Sequence, residues 1–335
     1  MGIEENPRFG RQVQRDLGED PNREDDPRID DFIAKSRKRW EPERPKLEQF
    51  MPPREAQAMT AELGEMKKEF GDKTPESIAA EFMVMEGIYE YGWTGGGKTE
   101  GREEPADVYV IPASESDDIK NGIDLVVAIR EGDGEWMYLG IDVTTTQDMV
   151  ELREKLERTI HPLQDKKSPH VDFYYSSDSP DKTIGRIDLP RVVIGIDKER
   201  IGELSNDFLH NPGSLAEHPI QLEINQEIID QLTTAIEIIV NNISRQRKNF
   251  VEYDFDSPKE ALDLVRGQRH RQEFEQIQPG VLKIIDKHAK ILEYMVAVQK
   301  EKGSVSEIPT QRATESFTFR QLAPKTTKEL LRKAG

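Results

Sequence analysis

Residues 122–144 read GIDLVVAIREGDGEWMYLGIDVT, and this segment predicts two paired β-strands. Its halves, 122–130 and 136–144, are rich in the β-branched and aromatic residues that favour strands. The Glu-Gly-Asp-Gly-Glu sequence between them is typical of a hairpin turn. A third strand-like run, Asp107–Pro112, comes just before, so the sequence predicts a three-strand meander.

Helices are expected on both sides of this meander. Thr74 and Pro75 supply an N-cap and a proline at the first helical position, which predicts a helix to about Tyr91. After the meander, Thr145 with Asp148 caps a second helix, and a buried strand at 191–196 follows a polar loop. The predicted fold class is therefore α/β, with a small mixed sheet and flanking helices.

The C-terminal third has a different pattern. Residues 222–249 and 281–299 place apolar side chains at steps of three and four, which predicts long amphipathic helices, with a less regular helix between them. These helices could cover the sheet or pair with a second subunit. The predicted organisation is a disordered arm (1–50), an α/β domain (51–210), a helical region (211–302) and a flexible tail (303–335). Within the arm, the patch at 29–40 could fold onto a partner or onto the body of the protein, although a loosely docked arm is the main expectation.

Composition excludes several classes of protein. The 335 residues hold 65 acidic and 47 basic side chains, for a net charge of −18, and no cysteine. The absence of cysteine excludes disulfides, cysteine-ligated zinc, iron–sulfur clusters and thiol catalysis. No leader-like or long apolar segment is visible, so we expect a cytoplasmic protein without a membrane partner.

The acidic excess is concentrated in 51–150, which holds 22 acidic and 8 basic side chains. A field of that sign attracts cations and repels phosphates, so a polyanion would be met through a metal or a separate basic face. The alternative is that the acidic surface only maintains solubility.

Two aspartates interrupt the apolar runs of the meander. A hairpin loop of three residues, 132–134, would make residues whose numbers sum to 266 face each other, and Asp124 would then lie opposite Asp142. Two like charges at that distance destabilise a sheet unless a cation lies between them or one is protonated. A two-residue turn would instead turn the carboxylates to opposite faces.

A third carboxylate, Glu81, falls inside the apolar face of the predicted helix after Thr74, whereas Glu86 and Glu90 fall outside that face. A carboxylate on a buried face is costly unless it is protonated, paired or bound to a cation. The alternative is a glutamate at the edge of the stripe that reaches solvent or an arginine. Hard oxygen ligands of this kind favour Mg²⁺ or Mn²⁺.

The order helix, meander, helix and strand, with Glu81 on the helix, Asp124 in Ile-Asp and Asp142 in Asp-Val-Thr, resembles the PD-(D/E)XK nuclease superfamily. This resemblance covers roughly residues 75–200. It implies that the three carboxylates bind Mg²⁺ or Mn²⁺, which activates water for phosphodiester hydrolysis. It also implies a lysine two residues after the second acid, where this chain has Thr144.

A threonine cannot supply the positive charge that stabilises a phosphorane. Lys155 on the following helix could reach the site from another element, as could Lys166 or Lys167, and we count Lys155 with Asp124 and Asp142 as the candidate catalytic residues. The motif is degenerate, so the alternative is a fold that persists without its active site.

Two basic clusters are candidates for contact with nucleic acid: Arg245, Arg247 and Lys248, and Arg266, Arg269 and Arg271. The alternative for each is a solvated helix end. The competing function is a non-catalytic interaction protein, which would bind a protein partner or a second copy of itself through the C-terminal helices and the tails.

Residues 92–99 match the Walker A letters G-x-x-x-x-G-K-[ST]. A phosphate cradle must follow a strand and open a helix, whereas a helix is predicted before these residues. We therefore interpret them as a loop.

Overall fold

The computed structural model describes residues 26–71, 73–95, 107–130, 135–164, 167–175, 183–246 and 251–302. The helices are α1 (Pro27–Trp40), α2 (Pro53–Phe70), α3 (Pro75–Tyr89), α4 (Met149–Gln164), α5 (Lys198–His210), α6 (Ile220–Ser244), α7 (Pro258–Arg266), α8 (Gln268–Ile277) and α9 (Val281–Glu301). The strands are β1 (Asp107–Pro112), β2 (Leu125–Arg130), β3 (Met137–Thr144), β4 (His170–Tyr175), β5 (Thr183–Asp188) and β6 (Arg191–Gly195).

A four-stranded mixed sheet has the strand order β1-β2-β3-β6. β1, β2 and β3 are antiparallel neighbours, and β6 runs parallel to β3 after the crossover through α4. The partners of β2 and β3 run from Leu125 with Ile141 to Ile129 with Met137. Of the two registers that the sequence left open, this is the one that a three-residue loop gives, although residues 131–134 lie outside the described part. The structure is therefore mixed α/β, with a small mixed sheet and flanking helices.

Both faces of this sheet are covered, which explains the nearly continuous apolar run of β2. Leu125 and Val127 belong to the largest core cluster, whereas Val126 points to the other face and packs in a separate cluster with Val171 and Ile187. The second face is covered by the antiparallel hairpin of β4 and β5, in a segment where the sequence predicted a polar loop. Only two residues of β4, Val171 and Tyr174, are buried, so its apolar signal is weak.

The central helix α3 is buried almost all round. Thr74 Oγ1 accepts a hydrogen bond from the Ser77 amide, which caps the helix, and Pro75 occupies the first turn as predicted. The sequence pattern placed Glu86 outside the apolar face of this helix, but Glu86 is only 1 % exposed. Helices α1 and α5 pack on α3 in addition to the sheet, so more than one of its faces is buried.

Residues 26–50, which the sequence placed in a disordered arm, form α1 and two short helical turns at 41–43 and 47–49. Asp26 caps α1, and Phe32 meets Phe208 of α5 edge to face, with the ring centroids 4.9 Å apart. Trp40 is buried against α3. A few large apolar side chains therefore dock a segment whose composition is mostly polar. Residues 1–25 of the predicted arm and the predicted tail at 303–335 lie outside the described residues.

The apolar faces of the C-terminal helices pack against other parts of the same chain. Helix α6 packs on α9 and β6, and α9 also contacts β3. The largest core cluster runs from Ile29 to Val298, so the predicted α/β domain and helical region share one core. Within the described part of the chain, no helix is both long and apolar enough to cross a bilayer.

Side chains of α6 also close the open edge of the sheet. Gln231 accepts a hydrogen bond from the Val193 amide at 2.8 Å and donates one to the Val193 carbonyl at 2.5 Å. Glu227 accepts from the Gly195 amide at 3.1 Å. Because β6 is an edge strand, these side chains take the place of a further strand and leave less edge for another chain to pair with.

Candidate functional site

Asp124 and Asp142 lie at the same end of the β2–β3 pair. The Asp124 amide donates to the Ile141 carbonyl at 2.9 Å, one residue out of step with the pairing of Leu125 with Ile141. Asp124 Oδ2 in turn accepts from the Val143 amide at 2.7 Å. Both aspartates are buried, at 6 % and 2 % exposure. Each is held by a different set of cations.

Asp124 belongs to a cluster of three carboxylates around one lysine. The ammonium of Lys73 lies 2.7 Å from Asp124 Oδ1, 2.7 Å from Glu81 Oε1 and 2.8 Å from Asp118 Oδ2. The acids come from the residue just before β2, from α3 and from the turn at 117–121. We call Lys73, Glu81, Asp118 and Asp124 the Lys73 cluster.

The pKa values of the three acids in the Lys73 cluster shift in different directions. Burial opposes ionisation of Asp124, but Lys73 and Lys155 outweigh it and lower its pKa to about 2. Burial and the negative charge of Asp124 raise the pKa of Asp118 to about 6 and that of Glu81 well above its usual range. Burial would lower the pKa of Lys73, but the three acids raise it. The site therefore strongly favours a bound cation.

Asp142 is held by two other cations. Lys155 Nζ lies 2.7 Å from Asp142 Oδ1, and Nη2 of Arg191 donates to Asp142 Oδ2 at 2.5 Å. Lys155 comes from the second turn of α4, and Arg191 is the first residue of β6. Burial would lower the pKa of Lys155, but Asp142 and Asp124 raise it, which shows that both aspartates act on this lysine.

The other candidates for the motif lysine lie elsewhere. Thr144 is buried, and its Oγ1 accepts from the Thr146 amide at 3.2 Å. Lys166 lies outside the described residues, and Lys167 is exposed. Of the two lysines that the structure describes, Lys155 is the one that contacts Asp142.

The sequence analysis missed Lys73, Asp118 and Arg191. Lys73 directly precedes the N-cap of α3, a position that in sequence suggests only a helix start. Asp118 lies in a polar turn. Arg191 offered a signal, because a charged residue that opens an otherwise apolar strand and is 4 % exposed needs a buried partner.

The carboxylates are arranged around ammonium and guanidinium groups. Among the residues that the structure describes, no three acidic or histidine side chains are placed to hold a metal ion together. Three carboxylate oxygens instead surround the ammonium of Lys73. A metal would therefore need Lys73 to leave.

Some of the basic residues that were predicted to contact nucleic acid form ion pairs with acidic residues of the same chain. Arg271 makes a two-pronged ion pair with Asp286, at 2.6 and 2.9 Å, and Arg266 pairs with Glu293. Arg269 and Arg245 are exposed. The remaining members of the set, Arg247 and Lys248, lie outside the described residues.

The described part of the Walker-like segment is anchored in the core. The Trp93 indole donates to the Leu215 carbonyl at 2.8 Å, and its ring lies over Gly87 of α3. Asn225 donates to the Trp93 carbonyl at 2.9 Å. The segment follows helix α3, as the sequence predicted, and residues 96–99 lie outside the described part.

Comparison with protein families, with curated proteins and with solved structures finds no match to the chain.

Proposed function

We propose that this protein has a PD-(D/E)XK-like core and is a divalent-metal-dependent nuclease that hydrolyses phosphodiester bonds in nucleic acid. The carboxylates that would hold Mg²⁺ or Mn²⁺ are Glu81, Asp124 and Asp142. The observation that carries the proposal is the 2.7 Å contact between Lys155 Nζ and Asp142 Oδ1. It supplies from α4 the cation that the sequence lacks at Thr144.

Lys155 has the charge and the position for this role. Its side chain is 22 % exposed, and its ammonium contacts an aspartate that is almost fully buried. A positive charge held there would stabilise negative charge that develops on a phosphoryl oxygen. Because nearby acids raise its pKa, Lys155 stays protonated at neutral pH and acts as an electrostatic stabiliser rather than as a base.

The two aspartates have distinct tasks. Asp124, with a pKa of about 2, stays ionised across the neutral range and keeps its orientation through the Val143 amide. Asp142 is fixed between Lys155 and Arg191. When bound, a divalent metal would lower the pKa of a water molecule and so supply the nucleophile.

The test is metal-dependent cleavage of single- and double-stranded DNA and RNA by the full chain. We expect Asp142→Asn and Lys155→Met to lower the rate by 100-fold or more, since each removes a charge at the reacting centre. Arg153→Met removes an exposed cation from the same helix and should leave the rate within about twofold. Equal loss in all three variants, or no cleavage by the wild type with Mg²⁺ or Mn²⁺, would contradict the proposal.

A second candidate function is a non-catalytic interaction protein. The observation that favours it is that all four acids, Glu81, Asp118, Asp124 and Asp142, are paired with cations of the same chain. Such a network could serve only to join α3, the sheet and α4. It predicts that Asp142→Asn lowers the free energy of unfolding while no nucleic acid is cleaved by any variant.

A further inference from the structure

Three buried side-chain oxygens lack a hydrogen-bond partner where residues 92–95, which follow α3, meet α6 and α9. They are Oγ1 of Thr94, Oδ1 of Asn225 and Oε1 of Gln299, and no group in the part of the chain that the structure describes donates to them. The three residues are 1 %, 0 % and 4 % exposed. A buried polar atom without a partner is costly, because it loses its hydrogen bonds to water without replacement.

Hydrogen bonds bring these residues to one junction. Asn225 Nδ2 donates to the Trp93 carbonyl at 2.9 Å, and that carbonyl belongs to the same peptide group as the Thr94 amide. Gln299 Nε2 of α9 donates to the Leu222 carbonyl at 3.3 Å, and Leu222 lies about one helical turn before Asn225 on α6. The junction therefore joins the segment after α3 to both long C-terminal helices.

The same segment also packs directly on α9. Tyr294 Oη donates to the Thr94 carbonyl at 2.9 Å. At Gly95, a Cβ would overlap Cγ2 of Val298 and would lie 2.8 Å from Tyr294 Oη. Val298 directly precedes Gln299, so the segment lies against the turn of α9 that carries Gln299.

The groups that accept from the two amide side chains fix their orientation. A carbonyl oxygen only accepts hydrogen bonds, so the Trp93 carbonyl selects the NH₂ end of Asn225, and the Leu222 carbonyl selects that of Gln299. The oxygen of each amide is then the end without a partner. Since every unpartnered atom of the junction is an oxygen and two of them can only accept, a ligand must be a cation or a hydrogen-bond donor.

We propose that this junction binds one monovalent metal cation, K⁺, through Thr94 Oγ1, Asn225 Oδ1 and Gln299 Oε1. A water molecule can donate to two of the three oxygens, whereas a cation attracts all three together. The three ligands are neutral, and neutral oxygens can replace the hydration shell of K⁺, whereas Mg²⁺ and Ca²⁺ favour carboxylates. This site is separate from the carboxylates of the proposed nuclease and does not depend on that function.

The main chain favours a cation at the same place. The carbonyl oxygens of Trp93 and Thr94 have a second lone pair besides the one that accepts from Asn225 or Tyr294. Gln299 lies in the last turn of α9, where the negative end of the helix dipole attracts positive charge. A bound K⁺ would join residues 92–95, α6 and α9 and hold the chain that leaves α3 against the C-terminal helices.

The first test is thermal unfolding of the full-length protein in KCl and in choline chloride at equal ionic strength. We expect the wild type to melt about 3 °C or more higher in KCl, because a ligand that binds only the folded state stabilises it. Thr94→Val keeps the shape of the side chain and removes only an oxygen without a partner among the described residues. This variant should be at least as stable as the wild type in choline chloride and should not respond to K⁺.

Thr233→Val is the matched control. Thr233 is also buried, but its hydroxyl donates to the Ile229 carbonyl at 2.8 Å, so the variant should lose stability in both salts and keep the response to K⁺. Equal melting temperatures of the wild type in the two salts, or a full response to K⁺ in Thr94→Val, would overturn the inference.

A crystal grown with Tl⁺ in place of K⁺ locates the ion directly. We expect an anomalous peak within coordination distance of Thr94, Asn225 and Gln299. A water molecule at this position without an anomalous peak would show that the junction is hydrated and would also overturn the inference.

Discussion

Lys155 and Asp142 form a 2.7 Å ion pair between α4 and β3, although 13 residues separate them in the sequence. Helix α4, which connects β3 to β6, thereby places the positive charge of Lys155 beside Asp142 of β3. In this way a chain with a threonine at the motif position can place a cation beside its second aspartate.

The Lys155 pair should also contribute to stability. Lys155→Met leaves Asp142 with Arg191 alone, and we expect the free energy of unfolding to fall by about 1 to 3 kcal/mol, because a nearly buried carboxylate loses a partner. Arg153→Met should change it by less than about 0.5 kcal/mol. Urea denaturation of both variants measures the difference, and equal stabilities would contradict the buried pair.

Two glycines in helices should respond in opposite ways to alanine. A Cβ on Gly87 would overlap the ring of Trp93, so Gly87→Ala should destabilise the fold by about 3 kcal/mol or more. Gly64 of α2 has open space around its Cβ position, and Gly64→Ala should stabilise by about 0.5 to 1 kcal/mol. Thermal melts of the pair test this packing, and a stabilising Gly87→Ala would refute it.

The docking of α1 depends on Glu86. Its carboxylate accepts from the Trp40 indole at 2.9 Å and from Arg39 at 2.8 Å, so Trp40→Phe should cost about 1 to 3 kcal/mol by leaving a buried oxygen without its donor. Hydrogen exchange in 27–40 should accelerate at the same time. Trp136→Phe, at a half-buried position, is the control and should leave that exchange unchanged. Fast exchange of 27–40 already in the wild type would contradict a docked helix.

Asp230 should make stability depend on pH. Its side chain is buried on α6, and burial raises its pKa to about 7, although Gln226 donates to it at 2.9 Å. The folded state therefore holds a proton that the unfolded state loses near pH 4, and stability falls as pH rises from about 4 to 7.

Asp230→Asn removes this titration. Relative to the wild type, the variant should gain on the order of 2 to 4 kcal/mol at pH 8 and little at pH 4. Denaturation curves of both proteins across that range measure the effect. A gain that does not vary with pH would show that Asp230 is not the titrating group.

The strands and helices with strong local patterns could be predicted from the sequence. β1, β2, β3 and the start of α3 follow from alternating or continuous apolar runs and from Thr74 with Pro75, whereas the sequence left two registers open for β2 and β3. β4 and α1 could not be predicted in this way, because each buries only a few side chains, such as Tyr174 and Phe32, whose partners lie far away in the sequence.

Part of the candidate site was also visible. Glu81, Asp124 and Asp142 stood out as acids within apolar patterns, and all three are buried. Lys73 and Asp118 did not stand out, because a charged residue in a polar loop is ordinary until the fold brings it to others. Long-range ion pairs leave no local periodicity, which is why the cations of the site emerge only from the structure.

The most direct test of the nuclease account is a crystal structure of the protein grown with excess Mn²⁺, with anomalous scattering to locate the metal. The account predicts an anomalous peak within coordination distance of Asp124 and of Glu81 or Asp142, with the Lys73 ammonium moved away. A crystal with Lys73 still against its three carboxylates and no peak at either aspartate would contradict it.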